Sequence, residues 1–370
     1  LLTLLDSGKI DYVISTSAKG RDPRADSVKM RRHAVERDIP CLTSLDTANA
    51  IADCLSSNYN VNNVELVDIN KLRDTRAKLA FSKMQCAGND FIVFNAIDQV
   101  VENPEGLSVR LCNRRKGIGA DSLVMVSLSD KADAAMRIFN QDGSEGKMAG
   151  NAIRCVAKYL FDNNVNGIAD MIKKADEHSA NMTIETEAGV KELTLYMQNG
   201  KVSSVKVDMG KPEFTPANIP TRIQIPEGKE AIVNAPINVE GIDYSATVLS
   251  VGNPHCVVFS GFVDKIDVAR IGPLFENHRA FPSRVNAEFV RVVGRNELKV
   301  RTWERGNGET PACGTGACAA AIAAVLNGHC PMNEDITVKL KGGELIVNYT
   351  GETVFLTGSA ELVYDGVIEI

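Results

Sequence analysis

With 370 residues, 44% of them hydrophobic, the chain can bury the cores of two or three domains, and no apolar run approaches the ~20 residues that a membrane-spanning helix needs. Its 41 basic and 47 acidic residues leave a net charge of −6, which argues against a nucleic-acid surface. Nine cysteines at irregular spacing, none in a C-x-x-C pair, fit neither a disulfide scaffold nor a zinc site; reduced thiols in a cytoplasmic compartment, with no metal, are expected.

The chain opens on Leu1-Leu2-Thr3, with neither an initiator Met nor a signal-peptide layout, and reads as a piece of something longer. Asp11 to Ser15 predicts a strand, Ser27 to Arg37 an amphipathic helix, Ile39 to Thr43 a second strand and Leu45 to Leu55 another helix. Strands separated by helices at this spacing make a partial parallel α/β unit over residues 1–70. The basic cluster Lys29, Arg31, Arg32 and His33 lies on its first helix, most simply as a solvated face. The wording KGRDPRADSVKMRRHAVERDIPCLTSLDTANAI (Lys19 to Ile51) resembles the last part of the regulatory, methylglyoxal-synthase-like domain that ends the carbamoyl phosphate synthetase large subunit. That family's domain binds nucleotide effectors. With the upstream strands absent, a structural remnant or a fusion artefact is expected here in place of an allosteric site. Residues 71–77, with Lys71, Arg73, Asp74 and Arg76 close together, read as a linker.

From Lys78 the pattern changes to short strands with polar turns. An alternating strand leads to the turn Ala87-Gly88-Asn89-Asp90 and a second strand, FIVFNAI. Leu107 to Arg115 predicts a helix, and Gly117 to Asp121 a backbone turn without the spacing of a nucleotide fingerprint. Met136 to Asn140 is another strand, and Ala180 to Val258 holds at least four more. Leu298 to Trp303 pairs as a strand and meets the polar turn Glu304 to Glu309. Ala312-Cys313-Gly314-Thr315-Gly316 then opens a small-residue helix that stops before Asn327-Gly328. The tail from Glu344 is mostly strand.

Sliding the chain against itself reveals a duplication. Met136 to Ala157, MRIFNQDGSEGKMAGNAIRCVA, lies over Val300 to Ala321 without a gap, at an offset of 164 residues. Arg137 falls on Arg301, Glu145 on Glu309, Gly150 on Gly314 and Asn140 on Glu304. The order of parts repeats: strand, acidic glycine turn, small residue, Gly, helix. Over Cys313 stands Ala149.

A lone buried cysteine is most often a small apolar residue. At a helix start, however, a thiol sits among unpaired N–H groups at the positive end of the helix dipole, which favours its thiolate. The adjoining glycines let a carboxylate approach the same N–H groups. Glu304 and Arg305, at the end of the strand, suit an ammonium and a carboxylate.

Phe81 to Ile370 resembles diaminopimelate epimerase in KMQCAGNDFIVF (Lys83 to Phe94), KGIGADSLV (Lys116 to Val124) and MRIFNQDGSEGKMAGNAIRC (Met136 to Cys155), then in SVGNPHCVVF (Ser250 to Phe259), NAEFV (Asn286 to Val290) and WERGNGETPACGTGACA (Trp303 to Ala319). The resemblance implies an α+β fold of two pseudo-symmetric lobes, each a mixed, mostly antiparallel sheet around a central helix. Lobe 1 is expected over 78–195 plus 355–370, and lobe 2 over 196–354. It implies a cytoplasmic homodimer that converts LL- to meso-diaminopimelate, a lysine and peptidoglycan precursor, without pyridoxal phosphate or other cofactor. In the family one thiol takes the α-proton while a second delivers one to the opposite face. Carried over residue by residue, Cys313 is the second thiol, and His255 and Glu304 tune the thiols. Asn89, Asn140, Gly150, Asn151, Asn253, Asn286, Glu304, Arg305, Gly314 and Thr315 contact substrate. Read without the family, Asn89 is an Asn that tolerates a left-handed turn and His255 a satisfied structural group.

The departure is at the first thiol position, which is Ala149. Alanine can neither accept nor donate a proton. Cys155, six residues on, would lie about 9 Å further along the helix axis on another face, and is read as core. Losing one general acid or base typically costs about 10²- to 10⁴-fold, so inversion is expected to be impaired or abolished. The alternatives are a catalytically silent substrate-binding version, engineered or decayed, and a related isomerase of the same fold, such as the phenazine-biosynthesis type.

Overall fold

Short apolar runs broken by polar turns build most of the chain into sheet. The computed structural model describes residues 2–15, 26–56, 78–146, 149–172 and 175–370. It divides into two units, Leu1–Arg76 and Ala77–Ile370. In the first, strands Val13–Ile14 and Cys41–Leu42 pair in parallel, with helices Asp26–Glu36 and Leu45–Ser56 following them. That is the α/β order read from the sequence. Its core is small: Leu5, Val13 and Ala34, with Ile10, Met30, Ile39 and Cys41 packed around them. Of the basic cluster, His33 turns to Asp6 Oδ1 at 2.9 Å, which Arg37 also reaches at 2.8 Å. The expected loop at Lys19 to Ala25 and the linker 71–77 lie outside the described residues.

In the second unit the strands form two runs of eight. The first run, in spatial order, is Glu361–Glu369, Lys78–Cys86, Asn89–Asn95, Ser122–Ser127, Ala134–Asn140, Ser179–Thr186, Gly189–Gln198 and Lys201–Gly210. The second is Ile232–Val239, Ile242–Ser250, Pro254–Phe259, Asn286–Gly294, Glu297–Glu304, Asp335–Leu340, Gly343–Tyr349 and Val354–Ser359. Neighbours in both runs pair in the same sequence of senses, with the third and fifth pairings parallel and the others antiparallel. The last strands of the runs, Lys201–Gly210 and Val354–Ser359, pair antiparallel and join the lobes.

A parallel pair needs a crossover, and helices supply it. Pro104–Leu111 and Val268–Glu276 serve the third pairing of each run, while Gly150–Asp162 and Gly314–Leu326 serve the fifth. The latter two are the central helices. Gly314–Leu326 (GTGACAAAIAAVL) carries no charge and is apolar all round, so it is stable only when enclosed. Its small side chains let the strands close around it. Gly150–Asp162 is enclosed likewise, burying Ile153, Cys155, Val156 and Leu160 at 0% exposure. Full burial of a side chain such as Ile153 or Leu160 contributes about 1.5–3 kcal/mol.

The class is the expected α+β, mixed and mostly antiparallel sheet around a central helix. The lobe limits drawn by strand pairing differ from those read from the sequence. Lys201–Gly210 completes the first run, which therefore extends past 195, and Val354–Ser359 belongs to the second. Both strands lie at the join, where each has a neighbour in either lobe, so local pattern does not assign them.

Candidate active site

Each central helix is launched in the same way. A strand (Ala134–Asn140 or Glu297–Glu304) turns through a glycine loop into a short return strand (Glu145–Gly146 or Gly308–Thr310). The two hairpins share one register: Ile138 pairs with Gly146, and Thr302, 164 residues later, with Thr310. Matching ion pairs pin them, Arg137 to Glu145 through two bonds of 2.7 Å and Arg301 to Glu309 through one of 2.7 Å. The capping residues then take the same extended backbone, φ/ψ −134°/119° at Ala149 and −122°/114° at Cys313.

The two helix starts meet at Leu356. A Cβ added at Gly150 would lie 3.3 Å from a Leu356 methyl, and one at Gly314 would lie 3.1 Å from the same methyl and 3.4 Å from Asn151 Oδ1. Glycine at both positions is what permits the approach.

Cys313 is 6% exposed. Its Sγ accepts from the Gly316 N–H at 3.3 Å and lies 3.5 Å from Thr315 Oγ1. Burial pushes this thiol well above its usual range, and the nearby carboxylates Glu304 and Glu288 push the same way; Thr315 and the Gly316 N–H oppose them without prevailing. This corrects the reading that a helix start alone favours the thiolate. Glu304 is itself raised, first by burial and then by Glu288, against a 2.5 Å hydrogen bond from Thr310 Oγ1.

Behind Cys313 lies a fully buried pair. His255 Nδ1 meets Glu288 Oε1 at 2.8 Å, and His255 Nε2 meets Asn253 Oδ1 at 2.8 Å. Burial raises Glu288 above the usual carboxylate range, with His255 opposing. Asn286 is buried as well, but its amide serves the backbone: Nδ2 donates to Pro254 O at 2.9 Å and Oδ1 accepts from Arg305 N at 2.8 Å. It holds the turn that carries Arg305, whose Nη1 donates to Ser283 O at 2.9 Å.

On the other side Asn151 Nδ2 donates to Asn89 Oδ1 at 3.2 Å, and Asn89 Nδ2 to Asp121 Oδ2 at 2.5 Å. Asn151 Oδ1 in turn accepts from Arg154 Nη2 at 2.6 Å. Arg154 is completely buried, and its Nε and Nη1 have no partner among the described residues. Asn140 is exposed and donates to Ser144 Oγ at 3.0 Å. Ala149 is half-buried and makes no side-chain cap. The structure thus gathers Asn89, Asn151, Gly150 and Ala149 at one helix start, and Cys313, Gly314, Thr315, Glu304, His255 and Asn253 at the other.

The model of the diaminopimelate epimerase family matches residues 81–215 and 247–363. The chain is 44% identical over 294 residues to the diaminopimelate epimerase of Acetivibrio thermocellus, covering 79% of this chain and 99% of that one. To the same-named protein of Pelotomaculum thermopropionicum it is 45% identical over 290 residues, 77% of this chain and 97% of that one. The chain belongs to the diaminopimelate epimerase family. Among solved structures, a hydroxyproline epimerase from Agrobacterium vitis aligns with a TM-score of 0.57 at 16% identity, over 80% of this chain and 93% of that one. A Bacillus anthracis phenazine biosynthesis protein aligns with a TM-score of 0.55 at 16% identity, over 80% of this chain and all of that one. At that identity both speak to the fold alone. Every candidate residue of this family member lies within the matched segments. All the same, reading the sequence missed Glu288 and Arg154. The available signal was a charge flanked by apolar neighbours, Glu288 between Ala287 and Phe289 and Arg154 between Ile153 and Cys155.

Proposed function

We propose that this member of the diaminopimelate epimerase family binds diaminopimelate between the two helix starts and exchanges its α-hydrogen through Cys313. Inversion is impaired because Ala149 has no proton to offer on the opposite face. The observation behind this reading is that two caps of one backbone conformation, each followed by a glycine that faces the same leucine methyl, carry a thiol and a methyl group. Unpaired N–H groups of the two helices hold the α-carboxylate and stabilise the negative charge that develops as the α-hydrogen leaves. Asn89, Asn140, Asn151 and Asn253, with Glu304 and Arg305, hold the amino groups and the distal carboxylate. Cys313 takes the α-hydrogen as thiolate and returns a proton as thiol. Performed from one face, that cycle exchanges hydrogen with solvent and leaves the configuration unchanged.

The test is to incubate the protein with each diaminopimelate stereoisomer in D₂O and follow the α-proton by NMR. Deuterium should enter one configuration without inversion. Ala149→Cys should raise epimerisation by about 10²- to 10⁴-fold. Rapid inversion by the unaltered chain, or no gain in Ala149→Cys, overturns the reading. Binding without any exchange supports the silent version.

A further inference from the structure

The duplication gives each group around Cys313 a counterpart 164 residues earlier, and strand pairing sets the correspondence. His255 pairs with Asn286 as Phe91 does with Ser122, and Phe289 pairs with Arg301 as Met125 does with Arg137. His255 therefore stands where lobe 1 has Phe91, and Glu288 where it has Val124. All four side chains are buried. Lobe 1 shows that this layer packs with apolar residues, and a buried ionisable pair is seldom more stable than such packing. The pair in lobe 2 calls for a reason other than stability.

Glu288 lies under the start of the lobe 2 helix. A Cβ at Gly316 would meet Glu288 Oε1 at 2.8 Å, and Gly316 supplies the N–H that bonds Cys313 Sγ at 3.3 Å. Oε1 is held by His255; Oε2 is buried with no partner among the described residues. The titratable groups facing Glu288 are His255 and Cys256 from the strand on one side, Glu304 from the strand on the other and Cys313 from the helix. Only His255 among them can be cationic.

We propose that Glu288 is a positioning residue for Cys313: fixed by His255 beneath Gly316, its carboxylate favours the Cys313 thiol over the thiolate, so the small thiolate fraction that begins exchange is a strong base for the α-hydrogen. The inference rests on the proposed function only in taking Cys313 as the proton carrier. The burial and the two carboxylates that raise this thiol act in the same direction.

Glu288→Gln keeps the shape and a hydrogen bond to His255 while removing the charge. The measurement is the rate at which iodoacetamide alkylates Cys313 against pH, read by peptide mass, with thiolate ultraviolet absorbance followed in parallel. Losing a nearby negative charge favours the thiolate, so the profile should move to lower pH, with alkylation roughly tenfold faster near pH 8. Glu288→Asp should return it toward the parent. Should Glu288→Gln fail to fold, Glu288→Met, which fills a similar volume and leaves His255 in place, gives the same reading. A profile unmoved in both alkylation and absorbance overturns the proposal, as does a shift to higher pH. Alkylation needs no substrate, so absence of diaminopimelate exchange would sink the proposed function and leave this result intact.

Discussion

Lobe 1 and lobe 2 share a strand order, a sequence of parallel and antiparallel pairings, and a helix launched by the same pinned hairpin. Their side chains diverge at the site. Where lobe 2 has His255, Glu288, Glu304 and Cys313, lobe 1 has Phe91, Val124, Asn140 and Ala149. The asymmetry extends along the helices, since buried Arg154 in lobe 1 stands opposite Cys318 in lobe 2. Burial, opposed by Arg154, pushes that Cys318 thiol up to about 12. Duplication has preserved the backbone that brings two helix starts together, while His255, Glu288 and Glu304 surround the thiol on one face and the incompletely partnered Arg154 lies behind Asn151 on the other. The two faces are chemically distinct before any substrate arrives.

The largest effect should come from the face that holds the thiol. Cys313→Ser leaves neither cap with a thiol, and α-deuterium incorporation into diaminopimelate should fall by about 10²- to 10⁴-fold. Exchange that persisted near the parent rate would mean another group serves as base, and the contrast between the lobes would lose its chemical content.

The sequence already displayed much of this contrast. The offset of 164, the two launching hairpins and the pairing of Cys313 with Ala149 are local patterns, and each survives as geometry. What stayed hidden depends on partners distant in sequence. Glu288 faces His255 only because their strands lie side by side in parallel. Asn286, which the resemblance places against substrate, has both ends of its amide taken by Pro254 and Arg305. The protonation of Cys313 was misjudged because the helix start is local, whereas the burial and the two carboxylates that outweigh it come from other strands.

A test of the shared backbone is next in size. Leu356→Ala removes the side chain on which both helix starts rest and should cost about 2–4 kcal/mol in denaturant unfolding. Gly314→Ala should also destabilise, its Cβ meeting that methyl at 3.1 Å. Combined, the two should cost less than their sum by about 1 kcal/mol. Strict additivity would show that the helix starts do not press on this residue.

The cation of lobe 1 gives a smaller effect with an informative sign. Arg154 has one bonded nitrogen, Nη2, which donates to Asn151. Replacing an incompletely partnered buried cation with Met should change stability by no more than about 1 kcal/mol, in either direction. Asn151 would lose the bond that orients it, and diaminopimelate affinity, measured by calorimetry, should drop by roughly tenfold, as for a lost hydrogen bond of ordinary strength. A loss of several kcal/mol in stability would instead make Arg154 a structural post.

The smallest effect belongs to a charge network found in lobe 1 alone. Asp90 accepts from Lys83 at 2.5 Å and from Arg114 at 2.6 Å, and Arg114 also reaches Asp121 at 2.7 Å. Burial works to raise Asp90, but the hydrogen bonds from Arg114 and Lys83 outweigh it and hold the carboxyl below its usual range. A carboxylate depressed on folding adds stability that is present above its unfolded pKa and is lost as the pH falls through its folded one. Asp90→Asn should therefore destabilise by about 0.5–1 kcal/mol near neutrality, the half-exposed Arg114 being screened by solvent, and the gap to the parent should close as the pH falls below about 4. In lobe 2 the positions of Asp90 and Arg114 are Pro254 and His278, so this pair has no counterpart there. A gap that stayed constant down to about pH 3 would mean that the Asn variant loses packing and not charge, and this electrostatic difference between the lobes would fall away.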